Sequence, residues 1–255
     1  MNTRAAAPAH RPADRIALVR GARRAWHRLA SSWRSTPDEA RRRWLATLGL
    51  GMLLCLALTA ALTLYARSTA AAGALDWERG WLVDLERTSW FSFHTALWLE
   101  CLGSSAMLMP VIGAGMIIAS FTGHGFRALM VLASYLGAKA LIFTGWAIWS
   151  RARPDFIADG LAVPPSLHSF PSGHTLQTFT VYGVLVWFWA RSSSSRAEQT
   201  LAWLLLAVLC AAVALARLRL GTHWPSDVVA GAVIGVAWLV VLALAQRRLE
   251  TAGGR

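Results

Sequence analysis

Three short stretches of this chain place histidines, arginines and one aspartate beside the ends of apolar segments. They are Arg153-Pro154, the run Pro171-Ser172-Gly173-His174, and the spaced set Arg217, His223 and Asp227. An arginine guanidinium matches the geometry of phosphate oxygens, and a histidine can act as a nucleophile or move a proton near neutral pH. These residue types together predict a site that binds and transfers a phosphoryl group.

Ser172 and Gly173 begin an apolar segment and therefore occupy a predicted helix N-terminus. Unpaired backbone N–H groups and the positive end of the helix dipole favour an anion there, and a glycine allows close approach. Simple helix capping is the alternative interpretation of this pair. His174, on the first turn, could donate a proton to a departing oxygen.

His223 and Asp227 are four residues apart at the start of the last apolar segment, where Pro225 suits an early helical position. A carboxylate near one imidazole nitrogen would fix the tautomer and leave the other nitrogen free to attack phosphorus. An interfacial histidine with a helix-capping aspartate is the alternative. Arg153 and Arg217 could neutralise phosphoryl oxygens, or could extend towards lipid headgroups.

The composition of the chain indicates a membrane protein. Of 255 residues, 56% are hydrophobic, and the mean hydropathy is +0.45. Six apolar runs approach the length that spans a bilayer. They cover residues 44–66, 97–121, 128–149, 170–190, 200–215 and 228–245. The predicted fold is an all-α integral membrane bundle of six transmembrane helices with short loops.

The basic residues that give the formal net charge of +12 are concentrated in alternate connections, an arrangement that argues against a nucleic-acid partner. The positive-inside tendency then predicts that both termini are cytoplasmic. The loops 67–96, 150–169 and 218–225 face the other side, and all three candidate motifs border them. We therefore expect a bacterial inner-membrane protein whose site is periplasmic.

Three regions are predicted along the chain: a basic cytoplasmic leader (1–43), a six-span membrane domain (44–248) and a short C-terminal tail (249–255). The leader is predicted to be either a helix lying on anionic lipid or a disordered tail. Tryptophans and leucines alternate with acidic residues at positions 76–86. That pattern predicts a short helix at the lipid boundary, acting as an anchor or as a gate.

At these motifs the chain resembles the type 2 phosphatidic acid phosphatase superfamily, the histidine-dependent lipid phosphatases related to vanadium haloperoxidases. The resemblance covers roughly residues 97–245. The family carries Lys-x6-Arg-Pro, then Pro-Ser-Gly-His, then Ser-Arg-x5-His-x3-Asp, in that order. The second motif is complete at 171–174 in this chain, and the third keeps Arg217, His223 and Asp227 at the expected spacing.

The resemblance implies a role for each matched residue. His223 would be the nucleophile that forms a phosphohistidine, Asp227 its orienting carboxylate, and His174 the acid that protonates the leaving group. The residues that would hold the phosphoryl oxygens are Arg153, Arg217, Ser172 and Gly173. The resemblance implies neither a metal nor another cofactor, and it implies an all-helical bundle.

Two positions depart from the family pattern. Ala216 replaces the serine before the third-motif arginine, and Trp146 stands where the family has its lysine. Lys139 is the chain's single lysine, and along a helix it would lie about 21 Å from Arg153. Arg151 could lend the missing charge to the bound phosphate. Trp146 either packs in the bundle or stacks on a substrate group.

The sequence predicts a membrane phosphatase whose substrate is a lipid phosphate or lipid pyrophosphate, with the surrounding membrane lipids as its other partners. One alternative is a lipid phosphotransferase, in which the phosphohistidine passes to another lipid. A second is a catalytically weakened lipid-binding or scaffold protein. Lys139 and Glu100, ionisable residues inside predicted spans, also allow a transporter.

Overall fold

The structure is a computed structural model, and it describes the backbone of residues 12–253. All regular secondary structure in this part of the chain is helical. The helices are α1 (Pro12–Ser35), α2 (Asp38–Ala71), α3 (Trp77–Thr88), α4 (Phe93–Cys101), α5 (Ser105–Phe121), α6 (Gly125–Ile148), α7 (Gly173–Gln177), a π-helical turn (Thr178–Tyr182), α8 (Gly183–Ser192), α9 (Arg196–Arg219) and α10 (Pro225–Gly253). The predicted all-α class is confirmed.

Five helical stretches of the described chain are long and apolar enough to cross a membrane. They are Asp38–Ala71, Phe93–Phe121, Gly125–Ile148, Arg196–Arg219 and Pro225–Thr251. The predicted span at 170–190 is also helical, but the π turn divides it into α7 and α8. The count of long spans is therefore five where the sequence predicted six.

The predicted second span is broken near its N-terminal end. α4 stops at Cys101, and α5 restarts after Ser104, whose hydroxyl accepts a hydrogen bond from the backbone N–H of Met107 at 3.3 Å. A serine in this position satisfies one of the free N–H groups of a new helix. The break turns the chain just after Glu100, and it thereby positions this carboxylate within the bundle.

The bundle is organised around α10, which packs along α2 and α6, while α4 lies on α9 and α5 on α6. Gly231 of α10 permits a close approach to the start of α7. A Cβ added there would lie 2.6 Å from the carbonyl oxygen of Ser172. Any larger residue would separate α10 from the start of α7, and these two elements carry the Asp227 and His174 side chains.

α1 packs against α5 and α6. Arg28 donates a hydrogen bond to the carbonyl oxygen of Phe121 at 2.7 Å, and the Trp33 ring stacks on Phe126 with centroids 5.5 Å apart. The leader is therefore helical from residue 12, and its first eleven residues lie outside the described chain. The predicted boundary at 43/44 falls inside α2.

The short helix predicted near residues 76–86 is α3, which packs against α9. Trp77 and Trp81 are exposed on it, while Glu78 and Leu82 are buried. The backbone N–H of Asp159 donates to Glu86 at 3.1 Å. This contact joins α3 to the 149–172 loop at the end of the bundle that carries the candidate site.

Candidate active site

His223 lies in the tight turn between α9 and α10. Gly221 adopts a φ of 62°, the left-handed conformation that commonly follows the last turn of a helix. The backbone N–H of Thr222 then donates to the carbonyl oxygen of Arg217 at 3.1 Å. This turn brings His223 into the interior, where only 1% of its surface is exposed.

Asp227 belongs to the first turn of α10, with Pro225 as the first helical residue. Its Oδ2 accepts a hydrogen bond from the backbone N–H of Trp224 at 2.8 Å, so it caps the helix from within. The same oxygen accepts from the Ser169 hydroxyl and lies 3.4 Å from Nδ1 of His223. The predicted pairing of His223 with Asp227 is thus present, together with helix capping.

Arg153 approaches His223 from the 149–172 loop. Its Nε donates to the carbonyl oxygen of Leu167 at 2.8 Å, and its Nη2 donates to that of His168 at 3.0 Å. Its Nη1 donates to the carbonyl oxygen of Thr222 and lies 3.0 Å from Nε2 of His223. The backbone carbonyls fix the guanidinium in front of the imidazole.

These contacts assign the tautomer of His223. A guanidinium N–H can only donate, so Nε2 of His223 must be the accepting nitrogen, and Nδ1 carries the proton that faces Asp227. Burial is the main cause that lowers the pKa of His223 to about 3, although Asp227 opposes the shift. Burial also lowers the pKa of Arg153 to about 10. At neutral pH the imidazole is neutral and the guanidinium is charged.

Ser172 and Gly173 stand at the start of α7, as predicted. The backbone N–H of Ser172 is already engaged, because it donates to the carbonyl oxygen of Asp227 at 3.0 Å. The Ser172 hydroxyl contacts that of Thr175 at 3.0 Å, and Ser172 is fully buried. This residue therefore links α7 to α10, in addition to its predicted place at a helix N-terminus.

His174 and Arg217 meet at a carboxylate that the motifs do not contain. Nε2 of His174 lies 3.3 Å from Oε2 of Glu100, and the same oxygen is ion-paired with Nη1 of Arg217. From the sequence, Glu100 was notable only as an ionisable residue inside a predicted span. Within the described chain, Nε of Arg217 is buried without a hydrogen-bond partner. Arg217 thus has its Nη1 paired with Glu100, while its Nε N–H remains available to donate a hydrogen bond.

Arg151 is held by two carboxylates rather than directed at open space. Its Nη2 lies 2.6 Å from Oε2 of Glu78, and its Nη1 lies 2.6 Å from Oδ1 of Asp227. Nη1 also donates to the Ser226 hydroxyl at 2.7 Å. The structure therefore shows Arg151 in contact with the predicted orienting aspartate, whereas the sequence had suggested a phosphate contact.

Trp146, at the family's lysine position, and Lys139, the chain's single lysine, have different neighbours. Trp146 packs edge-on against Phe143 and His168, with ring centroids 5.5 and 6.0 Å away, which agrees with a packing role. Lys139 donates to the Ser105 hydroxyl at 3.0 Å. It lies close enough to His174 for its charge to act on the imidazole.

Sequence reasoning missed Glu78 and Ser169 and misplaced Glu100. Glu78 had a detectable signal, because it lies four residues before Leu82 and so shares the buried face of α3. Ser169 sits in an irregular loop, where residue spacing carries no information about direction. The contact between Glu100 and Arg217 depends on the helix break after Cys101, which hydropathy does not reveal.

The fold and the site together define an all-helical integral membrane protein with a buried histidine–aspartate pair beside arginines. The family model of the PAP2 superfamily matches residues 127–250. Phosphatidylglycerophosphatase B of Bacillus subtilis is 31% identical over 140 residues, which are 53% of this chain and 66% of that protein.

A solved structure extends the likeness to most of the fold. It is the crystal structure of the transmembrane PAP2 type phosphatidylglycerolphosphate phosphatase from Bacillus subtilis. The identity is 25% and the TM-score 0.60, over 79% of this chain and 96% of the other. The chain belongs to the PAP2 superfamily, as its three motifs indicated.

Proposed function

We propose that this protein hydrolyses a lipid phosphate or lipid pyrophosphate through a phosphohistidine on His223. The observation that carries this proposal is the buried, neutral imidazole whose Nε2 faces a charged Arg153 at 3.0 Å. A neutral Nε2 has the lone pair that attack on phosphorus requires, and the guanidinium lies where phosphoryl oxygens would gather.

In the first step, the Nη1 N–H of Arg153 leaves Nε2 of His223 for a phosphoryl oxygen, and Nε2 bonds to phosphorus as the bond from phosphorus to the leaving oxygen breaks. The ring becomes cationic, with its Nδ1 proton directed at Asp227, which stabilises the charge. Arg153 and the free Nε donor of Arg217 neutralise the phosphoryl oxygens. In this role, Gly173 contributes its backbone N–H at the start of α7.

His174 completes the cycle. His174, whose Nε2 lies 3.3 Å from Oε2 of Glu100, acts in its cationic form: it passes one proton to the departing oxygen and becomes neutral. A water molecule then returns a proton to His174 as its oxygen attacks phosphorus, and free phosphate and neutral His223 are released. Of the His174 side chain, 25% is exposed, so water can reach this histidine.

Two cavities support a substrate with both a phosphate and an apolar tail. A cavity of about 580 Å³ is lined mostly by the 149–172 loop, with polar side chains such as Arg153 and His168 among apolar ones. A second cavity of about 300 Å³ lies between α2 and α10, and it runs through apolar side chains to Phe170 and Ser226. A phosphorylated lipid could place its headgroup in the first cavity and part of its tail in the second.

Phosphate release tests the activity. The purified protein is offered a panel of phosphatidic acid, phosphatidylglycerol phosphate and isoprenyl pyrophosphate in detergent micelles that contain a chelator. We expect release from at least one lipid, inhibition by vanadate, and a trapped phosphohistidine that His223→Ala abolishes. Normal turnover by His223→Ala, or no release from any lipid, would refute the proposal.

The face of the membrane is a separate part of the proposal. Charge distribution supports a periplasmic site with both termini in the cytoplasm. Single cysteines placed at Asp84 or Asp159 should react with an impermeant thiol reagent added to intact cells whose outer membrane has been permeabilised, and a cysteine at Ser194 should not. The opposite labelling pattern would move the site to the cytoplasm.

A further inference from the structure

We propose that Glu78 and Arg151 are positioning residues that hold Asp227 against His223 and keep its charge available during catalysis. The inference rests on the proposed function, because it assigns these residues to the nucleophile. It names a carboxylate from α3, outside all three sequence motifs, as part of the catalytic machinery. The two residues and Asp227 are called the carboxylate clamp below.

The contacts of the clamp are short and specific. Both oxygens of Glu78 are occupied, since Oε1 accepts from the backbone N–H of Ser226 at 2.6 Å and Oε2 contacts Nη2 of Arg151 at 2.6 Å. Arg151 then reaches Asp227 through Nη1. The guanidinium bridges two carboxylates through two different nitrogens, which the single nitrogen of an ammonium group cannot reproduce.

Burial makes these contacts consequential. Glu78 and Asp227 are fully buried, and Arg151 is 9% exposed. A buried carboxylate without a partner is unfavourable, so Asp227 remains ionised in this position because Arg151 pairs with it. Glu78 in turn fixes the rotation of the guanidinium and balances its charge.

The charge of the clamp suits the proposed intermediate. Two carboxylates and one guanidinium give the clamp a net charge of −1. When Nε2 of His223 bonds to phosphorus, the imidazole becomes cationic, and this negative charge lies on the side of its Nδ1 proton. Neutralising Glu78 would bring the net charge of the clamp to zero. The clamp would then stabilise the cationic phosphohistidine less.

The same contacts distinguish positioning from direct phosphate binding by Arg151. Three of the five guanidinium N–H groups of Arg151 donate to Glu78, Asp227 and Ser226, so at most two remain for a phosphate oxygen. A phosphate-binding arginine would chiefly affect KM and the affinity for vanadate. A positioning arginine would chiefly affect kcat, and only while Asp227 is present.

The experiment measures kcat and KM of Glu78→Gln with the panel lipid that the wild-type protein hydrolyses fastest. Glutamine keeps the size and the acceptor for Ser226 but removes the charge. We expect kcat to fall about 10-fold to 100-fold with KM within about twofold. Glu86→Gln is the matched control on α3, where the carboxylate accepts from Asp159 and does not touch Arg151, and its kcat should remain unchanged.

A double-mutant cycle makes the test specific. In an Asp227→Asn background, Glu78→Gln should cost less than about twofold, because a residue that acts through Asp227 has nothing left to hold. Wild-type kcat in Glu78→Gln, or a full loss that persists beside Asp227→Asn, would overturn the inference. A raised KM with unchanged kcat in Arg151→Gln would overturn it in favour of phosphate binding.

Two further measurements keep the result interpretable. If the Glu78→Gln variant does not elute as a monodisperse protein, the Arg151→Lys variant is measured in its place. Its loss of kcat should depend on the presence of Asp227 in the same way. Unchanged kcat in Arg151→Lys would then overturn the inference. The His223→Ala variant in the same assay tests the proposed function alone. If this variant remains active, the proposed function is wrong. If it is inactive while Glu78→Gln is fully active, only the role of the clamp is refuted.

Discussion

The two histidines of the site sit in very different surroundings. His223 is enclosed, and its partner Asp227 is held by Arg151, Ser169 and the backbone N–H of Trp224. His174 is partly exposed, and its Nε2 lies 3.3 Å from Oε2 of Glu100. One histidine is thus fixed in orientation and tautomer, while the other retains access to solvent.

This difference matches what the two proposed steps require. A nucleophile must present one lone pair in one direction, and rigid neighbours reduce the reorganisation that attack would otherwise need. A residue that first gives and then recovers a proton must reach both the leaving oxygen and water. The burial of each histidine is therefore suited to its proposed role.

The largest expected effect comes from removing either histidine and varying the leaving group. His223→Ala should lose at least about 10⁴-fold in kcat with a lipid phosphate and with p-nitrophenyl phosphate alike, because both need the nucleophile. His174→Ala should lose about 10²-fold to 10⁴-fold with the lipid. With p-nitrophenyl phosphate its loss should shrink to about 10-fold or less, because nitrophenolate departs without protonation.

Steady-state phosphate release in the same micelles gives both comparisons. Equal losses of the His174 variant on the two substrates would show that this histidine is not the acid. A larger loss for His174→Ala than for His223→Ala on the aryl substrate would reverse the two assignments.

Smaller effects are expected on protein stability when Arg151, on the side of His223, or Arg217, on the side of His174, is removed. Arg151→Ala leaves two fully buried carboxylates without their cation and should cost about 3 to 5 kcal/mol of unfolding free energy. Arg217→Ala leaves Glu100 with His174 still beside it, so about 1 to 3 kcal/mol is expected. Denaturant unfolding in detergent micelles provides the measurement.

Arg79→Ala is the control for this comparison. Arg79 is exposed, and its guanidinium lies over the Phe156 ring with 4.3 Å to the centroid, a contact that contributes about 0.5 to 1 kcal/mol. A loss for Arg151→Ala no larger than that of Arg79→Ala would mean that the clamp does not hold the fold together.

The nucleophile side was largely predictable from the sequence, because its parts are local. His223 and Asp227 are four residues apart across the start of a helix, so the local turn and helix cap are enough to bring them together. Arg153 and Ser172 stand next to the ends of apolar runs, so hydropathy alone placed them at one end of the bundle. The helical class followed from composition.

The supporting residues were not predictable in this way. Glu78 meets Ser226 across 148 positions, and Glu100 meets Arg217 across 117, so these contacts arise only when α3 and α4 have packed. The break at 102–104 and the π turn at 178–182 are local departures from regular helices inside apolar sequence. Hydropathy averages over such departures, and this averaging explains why it predicted six continuous spans.

The smallest expected effect concerns pH and the enclosed histidine. The pKa of His223 is about 3 in the folded protein, mainly because of burial, and near 6.5 when the chain unfolds. Between these values the unfolded state binds a proton that the folded state does not, so stability must fall as pH falls through this window, by at most about 1.4 kcal/mol per pH unit.

His223→Gln removes this proton and should show a shallower decline in stability between pH 6 and 4. Unfolding midpoints in micelles at several pH values compare the two slopes, and the carboxylates common to both proteins cancel. Parallel slopes would mean that the folded protein binds the proton as readily as the unfolded chain. His223 would then be largely cationic in mildly acidic solution, and it would lack the lone pair that its proposed attack on phosphorus needs.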